Sequence, residues 1–290
     1  MGYAASFLAP ELPEMGPCYP DWILLARRAY ISDRKNATVA DNHTSDGHPI
    51  QVSLFAATPP AVSHLCVHCP GKEDQFAYSP AVIFSREDLI LFDVSLGTRD
   101  MSDYFIYKAD SKAPSLVRIA DPEPYTSGLH NTVTDASVYA PDDWTLITGS
   151  RRLDSVEWKR GDEVNIEDVT VSEDCYGHTD LLPRFCENGK PSLKKMPIGI
   201  PTFGNCNNAV YFMCKVKFED TKGWVVAVDI NSKRLDAVST FSAATLPGFS
   251  TAYYPSSFSK YLNNNSAEIE LNAQIADCLA ITDTDSSVDD

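Results

Sequence analysis

Residues 81–119 read AVIFSREDLILFDVSLGTRDMSDYFIYKADSKAPSLVRI, and the fold class can be predicted from this stretch. Four short apolar runs, rich in Val, Ile, Leu, Phe and Tyr, follow one another, with Asp, Gly, Ser, Lys or Pro between them. Runs of this length and composition, bounded by turn residues, are typical of β-strands joined by short loops. The stretch therefore predicts an antiparallel meander.

Similar runs lie on either side of this stretch. DWILLARRAYI, IQVSLFA and VSHLCVHC precede it, and AVYFMCKVKF, GWVVAVDI and RLDAVSTFS occupy most of residues 209–242. Polar residues outweigh periodic runs in residues 121–201, so we expect weaker β structure with long loops there, with strands at WTLITG, DSVEW and VNIEDVTV. The predicted fold is mostly β. We expect an antiparallel multi-sheet meander that is propeller-like, or an incomplete form of that arrangement.

Two of the predicted hairpins share a pattern. Asp110 and Asp229 each follow an apolar strand and precede a Ser-Lys pair, after which a second strand begins. A carboxylate at a strand end accepts hydrogen bonds from the backbone amides of the following turn. We expect both aspartates to do so, and repeated hairpins of this kind are what a propeller blade requires.

One helix is predicted near the end of the chain. Leu271, Ile275 and Leu279 are spaced four residues apart and form one apolar stripe of a helix. Asn265 and Glu268 have the spacing of a capping box. The final residues, DTDSSVDD, are acidic and poor in apolar side chains, which predicts a disordered tail.

The predicted organisation is a single domain with two extensions. Residues 1–18 are expected to be a flexible N-terminus, residues 19–263 a β-rich domain with an irregular middle at 121–201, and residues 264–290 the short helix and acidic tail. The N-terminus lacks the basic start and apolar core of a signal peptide, and no apolar run reaches the length of a membrane span. Gly2 matches an acylation pattern, but no polybasic cluster follows to strengthen membrane binding. These features predict an intracellular protein, in the cytoplasm or nucleus.

The charge of the chain argues against two classes of partner. Asp and Glu number 40 against 24 Lys and Arg, a formal net charge of −16. Nucleic-acid binding depends on many Lys and Arg placed on phosphates, and anionic lipid would be repelled in the same way. No binding to nucleic acid or to a membrane is therefore expected.

The segment SHLCVHC, residues 63–69, holds the residues that suggest a metal or redox site: His64, Cys66, His68 and Cys69. In a strand, the first three side chains point to one face and Cys69 to the other. His64 and His68 would then be about 13 Å apart at Cα, too far for one zinc ion to bind His64, Cys66 and His68 together. A redox Cys66–Cys69 pair would lack the helix N-terminus that lowers a thiol pKa. A half-buried strand is the preferred interpretation, with metal or redox binding as the alternative.

Catalytic and cofactor signals are sparse. His178 lies two residues before Asp180, which could orient an imidazole for base catalysis, but no G-x-S-x-G nucleophile motif accompanies them. Neither a G-x-G-x-x-G nor a P-loop motif occurs, so no cofactor is expected. A hydrolase whose residues are dispersed over loops remains an alternative.

Several segments, taken in order, resemble a plant family. YPDWILLARRAYISDRKNATVA, PPAVSHLCVHCPG, VIFSREDLILFDV and DYFIYKADSKAPSLVRI are similar to the N-terminal half of domain of unknown function 1618, a family expanded in grasses, and DTKGWVVAVDINSKRL with SSFSKYLN to its end. The resemblance implies a β-rich domain with no established activity or catalytic residues. Since no site assembles from the sequence, the leading hypothesis is a non-catalytic module that binds another protein, with its oligomeric state open.

Overall fold

The computed structural model describes residues 12–13, 18–97, 102–119, 168–171, 201–204, 209–215, 220–242 and 253–263, and the strand assignments at 145–150, 159–165, 186–187 and 190–191. The first strands in chain order are β1 (Ile23–Ala26), β2 (Tyr30–Ile31), β3 (Ala40–His43), β4 (Pro49–Phe55), β5 (Val62–His68), β6 (Ala81–Arg86), β7 (Leu89–Val94), β8 (Asp103–Lys108) and β9 (Ser115–Ile119). They are followed by β10 (Thr145–Ser150), β11 (Lys159–Asn165), β12 (Thr170–Val171), β13 (Cys186–Glu187), β14 (Lys190–Pro191), β15 (Thr202–Phe203), β16 (Ala209–Cys214), β17 (Lys222–Asp229), β18 (Arg234–Ser242) and β19 (Tyr253–Ser256). Short 3-10 turns occur at Glu73–Gln75 and Phe258–Leu262.

The strands form three main sheets. The central sheet has the order β19-β1-β5-β4-β3, with β2 also paired to β5. The meander sheet is β6-β7-β8-β9, and the C-terminal sheet is β12-β18-β17-β16-β15. Two further hairpins, β10-β11 and β13-β14, stand apart from these sheets. Most neighbours are antiparallel, while β5 is parallel to β1 and β2, and β12 is parallel to β18.

The prediction of a mostly β fold built from antiparallel meanders is confirmed. None of the sheets formed by the described residues closes on itself, and a propeller-like arrangement is not shown among them. The helix predicted after Asn265 lies outside the described residues, and so does the acidic tail. Among the described residues, none of the helices is long and apolar enough to cross a membrane.

The main core lies between the central sheet and the meander sheet. Alternate residues of β1, Ile23 and Leu25, are fully buried in it, as are Phe92 and Phe105 of the meander sheet. Phe258, from the 3-10 turn after β19, closes the same core. Two sheets that pack face to face bury the alternate side chains of each inner face.

The C-terminal sheet packs on the opposite face of the central sheet. Leu24 and Val62 of the central sheet are buried there against Tyr211, Val225 and other residues of the C-terminal sheet. The three sheets are thus stacked in layers, with the central sheet in the middle. β5 is therefore buried on both faces, and the prediction of a half-buried strand for SHLCVHC was wrong in this respect.

Both aspartate turns form as predicted. Asp110 Oδ1 accepts hydrogen bonds from the backbone N–H groups of Lys112 at 2.7 Å and Ala113 at 3.1 Å, in the turn between β8 and β9. Asp229 Oδ1 accepts from the N–H of Ser232 at 2.7 Å, between β17 and β18. These bonds hold the pKa of each carboxyl below its usual value, since they favour the ionised form.

Candidate interaction surface

The structure separates the side chains of SHLCVHC as strand geometry requires. His64 and Cys66 lie on the face of β5 that is turned away from the main core, while Cys69 is part of that core. The His64 ring lies 4.8 Å from that of Tyr30 and 6.3 Å from that of Phe241 in the C-terminal sheet. These residues fill the space between two sheets, as packed side chains do in a protein interior.

Burial determines the protonation states of three of these side chains. Burial raises the pKa of the Cys66 and Cys69 thiols to about 12, so both are thiols and not thiolates at neutral pH. Thiolates are the forms that bind metals and exchange disulfides. Burial also lowers the pKa of His64 to about 4. The fourth residue, His68, is the most accessible, and its Nδ1 lies 3.7 Å from Glu73. No group of three or more metal-ligating side chains occurs in the part of the chain that the structure describes.

Other predicted site residues lie elsewhere. His178 and Asp180 are outside the described residues, so the hydrolase alternative stays a prediction. Cys214 is described, and its thiol is buried in the C-terminal sheet with a raised pKa. The structure does not bring Cys214 together with the SHLCVHC residues in a metal-ligating group.

The most distinctive surface feature is an apolar row across the outer face of the meander sheet. Phe84, Leu91, Ile106 and Val117 are directly paired from strand to strand, through the registers of β6 with β7, β7 with β8, and β8 with β9. With neighbouring strands about 4.8 Å apart, the row is about 14 Å long. Phe84 is 51% exposed and Val117 is 53% exposed, and both ends of the row are therefore open to solvent. We call this row, with its flanking residue Leu89, the outer row.

A β-bulge places Phe84 on this face. The register of β6 shifts between Val82 and Phe84, so that Ile83 is the extra residue. Without the bulge, Phe84 would share a face with Val82, which is buried in the main core. A bulge reverses the direction of the following side chains, and such features recur where a side chain is re-aimed for function. The largest side chain of the outer row is thus turned to solvent by an irregularity that strand periodicity does not predict.

The two faces of the meander sheet are both apolar. Ile90, Phe92 and Tyr107 point inward to the main core, while Leu89 and Leu91 alternate with them on the outside. An antiparallel sheet with one solvated face normally alternates apolar and polar residues. The sequence signal was therefore present: LILF and YFIY are apolar at successive positions. That pattern indicates a sheet that is covered on both faces. Among the described residues only the inner face is covered, by the central sheet.

The charges around the outer row differ from those of the whole chain. Arg86 and Lys108 lie on the same face, and each has an acidic neighbour at the sheet end, Glu87 at 3.9 Å and Asp88 at 3.7 Å. Asp93 also belongs to this face, but it is buried and accepts hydrogen bonds from Tyr78 Oη and the N–H of Ala81. The face thus presents no exposed carboxylate among its described strand residues, although the formal net charge of the chain is −16.

Both edges of the meander sheet are joined to the central sheet. The N–H of Val82 in β6 donates to the carbonyl of Arg27 at 2.8 Å. At the other edge, Asn42 Nδ2 donates to the carbonyl of Leu116 in β9 at 2.6 Å. Edge strands that are already engaged offer little template for an added strand. The outer face, by contrast, exposes the side chains of Phe84 and Val117 to solvent.

Comparisons with known proteins do not assign this chain to a family. The chain matches no family model, no curated protein sequence and no solved structure.

Proposed function

We propose that this chain is a non-catalytic protein-interaction module that binds its partner through the outer row of the meander sheet. The observation that carries the proposal is the direct pairing of Phe84, Leu91, Ile106 and Val117 into one partly exposed row. Single exposed apolar residues are ordinary, whereas contiguous apolar patches mark interaction sites. Aromatic side chains such as Phe84 commonly anchor protein interfaces.

The resemblance to the plant domain of unknown function 1618 implies a β-rich domain with no established activity or catalytic residues, and membership of that family is part of the proposal. An intracellular location, in the cytoplasm or nucleus, is part of the proposal. It is supported by the described cysteines, Cys18, Cys66, Cys69 and Cys214, all of which are free thiols. Free thiols are usual in reducing compartments.

Site-specific photo-crosslinking tests this function. A photoreactive phenylalanine analogue at position 84 should form crosslinks to an identifiable protein in the cells that express the chain, and so should the same analogue at position 117. The matched control is position 203, since Phe203 is 50% exposed on the C-terminal sheet, away from the outer row. Equal crosslinking at all three positions, or none at positions 84 and 117, would contradict the proposal.

A further inference from the structure

We infer that Leu12 and Pro13 form a detachable strap, which closes an apolar site on the central sheet and shields Cys66 from solvent. Leu12 is 6% exposed and belongs to a small buried cluster with Tyr30, Phe55 and Cys66. This cluster lies on the face of the central sheet that is turned away from the main core. The inference is therefore independent of the outer row and goes beyond the proposed function.

The strap continues a cover that the C-terminal sheet begins. Phe241 of β18 stacks on His64 with ring centroids 6.3 Å apart, and the His64 ring lies 4.8 Å from that of Tyr30. The buried cluster that includes Tyr30 contains no residue of the C-terminal sheet among the described residues, and its remaining cover is Leu12. The two sheets therefore leave part of this face to be closed by the N-terminal segment.

Apolar packing alone holds the strap closed. Among the hydrogen bonds made by the described residues, none involves Leu12 or Pro13, and proline has no N–H group to donate. The strap lies near the start of the chain, where segments with few contacts open at little cost in free energy. The strap can therefore detach while the three sheets stay folded.

Opening of the strap changes the chemistry of Cys66. Burial raises the pKa of this thiol, whereas the positive charge of Arg34 and a hydrogen bond with Ser32 lower it. Arg34 is exposed, and its guanidinium lies 5.5 Å from the centroid of the Phe55 ring. When the Leu12 side chain leaves, burial decreases while the two opposing influences remain. Thiolates are the nucleophilic form, so Cys66 should react with thiol reagents mainly from the open state.

Thiol labelling of the full chain tests the strap. N-ethylmaleimide is added under native conditions, and mass spectrometry of the peptides gives the labelling rate of each cysteine. In the wild-type protein, the exposed Cys18 should react fast and the buried thiols slowly. In Leu12→Ala, Cys66 should react at least about tenfold faster, because loss of the apolar contact increases the open population. Cys69 in the main core and Cys214 in the C-terminal sheet should keep their rates.

Two further variants are controls for the strap. Leu12→Met keeps an apolar side chain of similar volume, so Cys66 should stay almost as slow as in the wild-type protein. Leu89→Ala makes the same substitution at a leucine that is 38% exposed on the meander sheet, and it should not change the labelling of Cys66. Acceleration of Cys66 by Leu89→Ala equal to that by Leu12→Ala would contradict the inference.

Three other results would overturn the inference. One is a wild-type protein in which Cys66 reacts as fast as Cys18, since the strap would then not cover it. The second is an unchanged rate for Cys66 in Leu12→Ala. The third is an equal acceleration of Cys66, Cys69 and Cys214, which would show that Leu12 stabilises the whole fold and does not act as a strap. The crosslinking experiment on the outer row has no bearing on these outcomes, so the two proposals can fail separately.

Discussion

Replacing Phe92 by alanine is expected to lower the free energy of unfolding by about 3–5 kcal/mol. Phe92 is fully buried between the central and meander sheets, and its ring stacks on that of Phe105 at 5.6 Å. Truncation removes this apolar contact and leaves a cavity that the two packed sheets cannot fill. Urea unfolding, monitored by circular dichroism, measures this decrease in the free energy of unfolding.

Phe84→Ala is the matched control for this substitution. Phe84 has the same side chain in the same sheet, but the bulge in β6 places it on the outer face, where it is 51% exposed. Its truncation should lower the free energy of unfolding by less than about 1 kcal/mol. A loss for Phe84→Ala that equals the loss for Phe92→Ala would show that both faces of the meander sheet are covered within one chain, and the proposed interaction surface would not exist.

Acid should destabilise the protein through His64. Burial lowers the pKa of His64 from 6.5 to about 4, so the folded protein holds this imidazole neutral at a pH where the unfolded chain is already protonated. The folded state binds fewer protons, and stability contributed by this group is lost as pH falls from 6.5 towards 4. Between about pH 7 and about pH 4.5, the contribution of His64 should lower the free energy of unfolding by about 2–3 kcal/mol.

The variant His64→Phe isolates this effect. Phenylalanine fills the space between Tyr30 and Phe241 without a titrating group, so its unfolding free energy should fall less over the same pH range. Carboxylates with lowered pKa values, such as Asp110 and Asp229, also destabilise the protein in acid. Their effect is the same in wild type and His64→Phe, so it cancels when the two unfolding free energies are subtracted. If His64→Phe is as acid-sensitive as wild type, His64 is not held neutral between the sheets.

Much of the fold was predictable because its strands are local features. The apolar runs and the turn residues between them gave β4 to β9 and β16 to β18 close to their observed positions. The carboxylates of Asp110 and Asp229 bind their turns as expected, since this interaction depends on only three or four neighbouring residues.

The layering of the sheets could not be predicted in this way. β1 pairs with β19, near the other end of the described chain, and runs parallel to β5, and no local pattern specifies pairings over such separations. SHLCVHC was expected to be a half-buried strand, because its metal and redox motifs are incomplete and Cys suits a buried strand face. In the structure, the C-terminal sheet covers that face, and the two faces of β5 cannot be distinguished by periodicity once both are buried.

The outer row was missed for a related reason. The bulge at Ile83 changes the direction of Phe84, and a single extra residue in a strand has no reliable sequence signature. The apolar residues at successive positions of β7 and β8 were interpreted only as strand propensity. They also indicate that the outer face needs a partner, because an exposed antiparallel face would otherwise carry polar side chains.

Hydroxyl-radical footprinting with mass spectrometry tests the central claim most directly, because it measures the solvent accessibility of individual side chains. In dilute protein, Phe84 should be oxidised rapidly and Phe92 should be protected. When the chain is crosslinked to its partner through position 117, oxidation of Phe84 should fall severalfold while that of Phe203 stays constant. If Phe84 is protected in the dilute monomer, or remains equally reactive in the complex, the outer row is not the interaction surface.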